Sequence, residues 1–339
     1  MRIGKRLLRI FAAGLAALVV WELILENAVL RDPGGTSSPV FGRIYRPGIY
    51  LQGTEGYCKT RMNSLGMRGE EIPSKTPDEY RVLMLGDSYT NALQVSDDRT
   101  FVHRLQNRLA LNTSRNIRII NAGRNGASPA YYIHLSEFYH SSMKPDFVVV
   151  QINDEDFTVD IFDDKDQEFY VRKENPDYVT TTNFRDYYIW RMFPFLKVIK
   201  PFVAFSTFKI ALDKVPQMLE QRRNPSASGR KEVRPSADYP DIIDWTLKGL
   251  KNDYPHMAIF YLTLNTYESN IESLLKQSAN EYGIDFLNAR DIFNRYYQSH
   301  RQPVNGFDNT MPGTGHMNAI GHNLTADLLS DFFMNKVFK

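Results

Sequence analysis

The sequence predicts an α/β protein in which a parallel sheet is covered on both faces by helices. Three observations carry this. Short, almost unbroken apolar runs recur at Arg81–Leu85, Phe147–Ile152 and His256–Leu264, and strands buried on both faces lose the in–out alternation of a half-exposed sheet. Amphipathic stretches separate the runs at the spacing of βα units. Gly86, Asn121 and Asn153 close three of the strands with residues that favour turns.

In chain order, the first element is a targeting segment. Arg2, Lys5, Arg6 and Arg9 precede the apolar run Ile10–Leu25, the layout of a signal or signal anchor. No clean small-x-small cleavage site follows, so residues 1–30 are expected to remain as a membrane anchor. The positive flank stays cytoplasmic, which places the rest of the chain outside. Residues 31–80, rich in Pro, Gly and polar side chains, are expected to form an extended leader. Arg81–Leu85 is the first buried strand. Thr100 is placed to N-cap a helix with the face Phe101, Val102, Leu105 and Leu109. A strand at Ile117–Ile120, a helix over about residues 130–140 and the strand Phe147–Ile152 follow. The alternation then resumes with a helix at Ile242–Leu250, the strand at His256–Leu264, a helix at Ile271–Tyr282, a strand at Ile284–Leu287 and a closing helix at Ala319–Phe333.

Residues 157–238 interrupt this rhythm and are read as an insertion in one doubly wound domain spanning 81–339. The stretch 187–208 mixes Tyr187, Tyr188, Trp190, Phe193, Phe195, Phe202, Phe205 and Phe208 with Arg191, Lys197 and Lys200. That composition suits a lid or a membrane-facing flap, or simply aromatic packing of the insertion onto the domain.

Charge narrows the function. The chain has 41 Lys+Arg against 39 Asp+Glu, and the first 30 residues leave 37 of each sign in the remainder. A balanced body argues against nucleic acid as a partner. The single cysteine, Cys58, forms neither an internal disulfide nor a cysteine-based zinc site.

In open parallel sheets the ligand site lies beyond the carboxyl ends of the strands. Gly86-Asp87-Ser88 follows the first strand, Asn121 to Gly126 the second and Asn153-Asp154 the third. His316 to Asn318 leads into the last helix, and the block runs on to His322 within it. Four loops thus bring Ser88, Gly126, Asn153 and His316 to one edge. A serine hydroxyl needs a base such as histidine to become a nucleophile. The oxyanion formed on attack at an ester needs preorganised donors, here the backbone N–H groups of Ser88 and Gly126 and the side-chain amide of Asn153.

These blocks resemble those of the SGNH/GDSL hydrolase superfamily: Gly86-Asp87-Ser88, Gly126 in Asn-x-Gly-x-x-Gly, Asn153 in Asn-Asp, and His316 in His-x-Asn-x-x-Gly-His. The leader Asn63-Ser64-Leu65-Gly66-Met67-Arg68 is similar to that of membrane-anchored bacterial members. The resemblance implies a flavodoxin-like three-layer α/β/α fold and a serine esterase, deacylase or acyltransferase mechanism needing no metal or cofactor. It makes Ser88 the nucleophile, His316 the general base, and Ser88, Gly126 and Asn153 the oxyanion hole, with His322 structural. The triad acid usual three residues before the histidine is absent, since Gly313 stands there. Two substitutes are open: a backbone carbonyl orienting His316, or Asp308 folding back as a displaced acid.

The resulting expectation is an extracytoplasmic enzyme, periplasmic or at the cell surface, acting on ester-linked acyl groups, with an acylated cell-envelope or secreted glycan as substrate. The missing acid supports a second reading, a catalytically inactive glycan-binding or scaffold protein of an envelope polysaccharide assembly. A nucleotide-binding reading finds little, because Asn121–Gly126 is only part of a phosphate loop and no Lys-Ser/Thr follows.

Overall fold

A computed structural model describes residues 2–28, 35–53, 55–157, 159–162, 168–174, 177–184 and 239–339. Helix α1 (Arg2–Ala28) comes first. Within it Gly4–Ile24, with a mean hydropathy of 2.1 and none of its residues buried, is long and apolar enough to cross a membrane.

The leader is more ordered than its composition predicts. It forms two antiparallel hairpins, β1 (Gly35–Ser38) with β2 (Gly42–Tyr45) and β3 (Gly48–Gln52) with β4 (Cys58–Met62). Bridges from Met62 to Arg68 and from Arg68 to Asn121 fasten it to the edge of the main sheet.

The main sheet contains β5 (Glu79–Gly86), β6 (Asn116–Gly123), β7 (Phe147–Ile152), β10 (Met257–Tyr261) and β11 (Asp285–Asn288). Its order is β6-β5-β7-β10-β11 and every neighbouring pair is parallel. Counted along the chain this is 2-1-3-4-5, the flavodoxin-like order. Strand side chains alternate between two cores. Leu83, Leu85, Val148, Val150 and Ile259 face one, and Val82, Met84, Val149, Ala258 and Phe260 face the other. The first core is covered by α4 (Pro129–His134), α6 (Tyr239–Asp253) and α7 (Asn270–Glu281). The second is covered by α3 (Phe101–Asn112), α8 (Arg290–His300) and α9 (Ala319–Phe332). The predicted three layers are therefore present.

Three local differences have physical reasons. β6 runs past Ile120 to Gly123 because its pairing with β5 continues to Gly86↔Gly123. The helix expected over 130–140 breaks at Leu135, where ψ is 6°, and resumes as the short α5 (Ser136–Phe138) and a wide turn to Met143. α8 escapes sequence reading because Phe293 is its single buried residue. Within the insertion, β8 (Phe169–Glu174) and β9 (Asp177–Thr182) form a third hairpin. The aromatic stretch 187–208 and the lid expected of it lie outside the described residues.

Candidate active site

Ser88 opens α2 (Ser88–Asn91), a single turn directly beyond β5. Asp87 caps it by accepting the Tyr89 N–H at 2.8 Å. Serving as an N-cap satisfies one of the donors that the first turn of a helix leaves unpaired. The turn sits so low on the sheet that Gly86 and Gly123 are both sterically required. A Cβ on Gly86 would lie 2.6 Å from Gln151 Oε1, and one on Gly123 would lie 2.6 Å from the Thr90 carbonyl carbon. Gln151, buried at the end of β7, accepts from the Asp87 N–H at 3.1 Å and the Thr90 hydroxyl at 3.0 Å. On the far side of the turn the buried Arg68 guanidinium donates to the carbonyls of Asn91, Ala92 and Val95 and pairs with Asp97.

His316 lies across from this turn, just before Asn318 caps α9 through the Ile320 and Gly321 amides. Its Nε2 is 2.9 Å from Ser88 Oγ. Its Nδ1 is paired with the carboxylate of Glu55, from the loop between β3 and β4. The two sequence substitutes for the missing acid are therefore both corrected. Asp308 is exposed, and neither it nor a backbone carbonyl takes Nδ1. Gly315 makes room for the actual partner: it has φ +72°, and a Cβ there would overlap Glu55 Oε1. Glu55 has no sequence signal of its own, since it sits 261 positions from the histidine.

The structure brings the other expected residues to the same edge. Asn153 follows β7, and its amide orientation is fixed at both atoms. Oδ1 accepts the Glu155 N–H at 2.8 Å while Nδ2 donates to Asp87 Oδ2 at 2.7 Å. One Nδ2 proton therefore remains beyond the bond to Asp87. Gly126 follows β6 with φ +70°. A Cβ there would meet nothing within 4 Å, so the glycine is demanded by backbone conformation rather than by close approach. Beneath them, burial raises the Asp87 carboxyl to about 6, against hydrogen bonds from Tyr89 and Asn153 that lower it. Burial likewise raises Asp156, and the nearby Asp87 adds to it; Asp156 accepts the Asn153 N–H at 2.8 Å.

His322 is separate from this chain of contacts. It is buried, accepts the Phe101 N–H at 3.3 Å and stacks on that ring. Burial lowers its pKa to about 3, which keeps the ring neutral. Among the described residues no cluster of three or more His, Cys, Asp or Glu forms a metal site.

No protein-family model and no curated protein matches the sequence. Solved structures similar to it include LAE5, an alpha/beta hydrolase enzyme from the metagenome of Lake Arreo. The identity is 16% over 74% of this chain and 93% of that one, with a TM-score of 0.41. Axe2, an acetylxylan esterase from Geobacillus stearothermophilus, is 14% identical over 74% of this chain and 92% of its own, with a TM-score of 0.41. A member of the lipolytic protein G-D-S-L family from Veillonella parvula is 13% identical over 75% and 98% respectively, with a TM-score of 0.39.

Proposed function

We propose that the chain is a membrane-anchored, extracytoplasmic serine esterase of the SGNH/GDSL kind that acts on ester-linked acyl groups of a glycan. One observation carries this reading: the line Ser88 Oγ, His316 Nε2, His316 Nδ1, Glu55 carboxylate, continuous in hydrogen bonds. With Nδ1–H directed at Glu55, Nε2 is the free base and accepts the Ser88 proton. Oγ attacks the acyl carbonyl, and the oxyanion is received by the Ser88 and Gly126 amides and the remaining Asn153 Nδ2 proton. Collapse breaks the ester C–O bond, and His316 passes the proton to the departing alcohol oxygen. The acyl group is then on Ser88. An acceptor O–H, deprotonated by His316, attacks it and regenerates the serine. Water as acceptor gives deacylation, and a sugar hydroxyl gives O-acyl transfer.

The glycan and the location rest on different supports. The apolar α1 with its cationic flank supports a domain outside the cytoplasm. Axe2 is an acetylxylan esterase, and an acylated envelope or secreted glycan is the class we propose here. The inactive-scaffold reading drew its force from a missing acid, and Glu55 in contact with His316 removes that argument. The decisive experiment is to treat the full-length chain with a fluorophosphonate probe and map the adduct. Labelling at Ser88, lost in Ser88→Ala, is the expected result. A folded chain that neither labels nor hydrolyses p-nitrophenyl acetate would return the weight to the scaffold reading.

A further inference from the structure

The acid of the proposed triad arrives on a loop far from the histidine in sequence, so something must hold that loop in place. Glu55 lies between two backbone groups tied to a single side chain. Asn309 Nδ2 donates to the Gly53 carbonyl at 2.8 Å, and Asn309 Oδ1 accepts the Gly56 N–H at 2.7 Å. The Phe307 ring closes on the same loop from below, where a Cβ on Gly56 would lie 2.8 Å from it.

Asn309 in turn belongs to the segment that carries the base. Thr310 N–H bonds to the Phe307 carbonyl at 3.0 Å, Phe307 N–H bonds to Thr310 Oγ1 at 2.9 Å, and Gly313 N–H bonds to the Asn305 carbonyl at 3.0 Å. Gly306 N–H closes the loop on the carbonyl of His316 itself at 3.1 Å. The clamp and the histidine are therefore parts of one braced loop, and the acid is hooked onto it from outside.

We propose that Asn309 is a positioning residue that sets Glu55 against His316 Nδ1, an inference that rests on the Ser88–His316–Glu55 reading. The side chain suits the task because it must donate at one end and accept at the other within the length of one amide. Alanine loses both bonds, and aspartate keeps the acceptor but sets a carboxylate against the Gly53 carbonyl. A base misplaced relative to its orienting acid loses rate in the chemical step rather than in ground-state binding.

The test is a double-mutant cycle on the full-length chain in detergent micelles, with p-nitrophenyl acetate as the probe. Asn309→Ala is expected to lower kcat by about 10–100-fold with KM within about twofold. In a Glu55→Gln background the same change should cost less than about twofold, because the interaction it serves is already gone. Asn309→Asp, which keeps the side-chain shape, gives the same readout if the alanine variant does not fold. An Asn309→Ala enzyme at wild-type rate, beside a slow Glu55→Gln, overturns the positioning role alone. Equal losses in both backgrounds overturn it too, by making Asn309 a general structural residue. A Glu55→Gln enzyme at wild-type rate overturns the triad reading and this inference together.

Discussion

Replacing Glu55 by glutamine is the sharpest perturbation of the proposed mechanism, because it keeps the volume, removes the charge and turns one of the two acceptor oxygens into a donor. In the structure the carboxylate faces Nδ1 of His316, and both its oxygens lie 3.4 Å from the His316 N–H. A glutamine amide in this place presents its NH2 group to one of these nitrogens. If it faces Nδ1, the ring proton moves to Nε2, and the base then points an N–H at Ser88 rather than a lone pair. The equivalent acid-to-amide change in a known Ser-His-Asp triad lowers kcat by about 10⁴, which is about 5.4 kcal/mol of transition-state stabilisation. The expected loss for Glu55→Gln is therefore about 10³–10⁴ in kcat with KM little changed. The assay is steady-state hydrolysis of p-nitrophenyl acetate, with circular dichroism to establish that the variant is folded. Asp308→Asn, an exposed site away from the contact, should stay within about twofold of wild type. A folded Glu55→Gln enzyme within about threefold of wild type would refute the assignment of the acid.

Three further outcomes follow from the same geometry. Asn153→Ala should cost about 10²–10³ in kcat, the usual effect of deleting one oxyanion donor, measured on the same ester; an unchanged kcat removes Asn153 from the oxyanion hole. Gly315→Ala forces a side chain onto both a φ of +72° and the Glu55 carboxylate, so it should lower kcat while Ser88 still labels with fluorophosphonate, more slowly. Asp87 has a raised carboxyl, at about 6. Its contribution to stability is therefore full below the ordinary carboxylate range and falls as pH rises through about 6. Thermal melts should show Asp87→Asn gaining on wild type between pH 4 and pH 7.5, and a constant gap across that range would contradict the burial of the charge.

What the sequence made legible is what local rules govern. Ser88, Gly126 and Asn153 each stand one to three residues past a strand whose apolar run announces it, and the parallel topology alone brings such positions to one edge. His316 is legible through the block it opens, with Asn318 as a helix cap. Glu55 is hidden because nothing local ties it to His316. It reaches His316 through the docking of the leader hairpin, and tertiary docking leaves no period or spacing to read. The one trace was indirect: Gly315 beside the histidine and Gly56 beside the acid mark places where a side chain has no room. The hairpins of the leader are hidden for a related reason. Strands of four or five residues such as Gly35–Ser38 and Gly48–Gln52 carry too few apolar positions for alternation to register.

The leader also reaches the turn that bears Ser88, and this gives a last prediction. Arg68 is almost wholly buried, its side chain 2% exposed against 39% for its partner Asp97. Its guanidinium is the hydrogen-bond donor shared by the carbonyls of Asn91, Ala92 and Val95. Ala92 ends the Ser88 turn in the left-handed conformation, φ 55°, a position that costs an alanine about 1–2 kcal/mol unless its surroundings hold it there. The Arg68 contacts hold it. Arg68→Leu keeps much of the apolar stem but strands the carbonyls of Asn91 and Val95, leaves that of Ala92 only the Val95 N–H and unpairs Asp97, so it should destabilise the protein by about 3–5 kcal/mol. Because the stranded groups lie at the end of α2, the fraction that stays folded should lose kcat through a displaced Ser88, while a surface change on the leader such as Lys59→Ala alters neither quantity. Urea melts of the full-length chain, read beside kcat for the folded fraction, check both parts. A loss of less than about 1 kcal/mol with full kcat would mean that the turn bearing Ser88 keeps its shape without the leader, and that the leader's part in the site ends with Glu55.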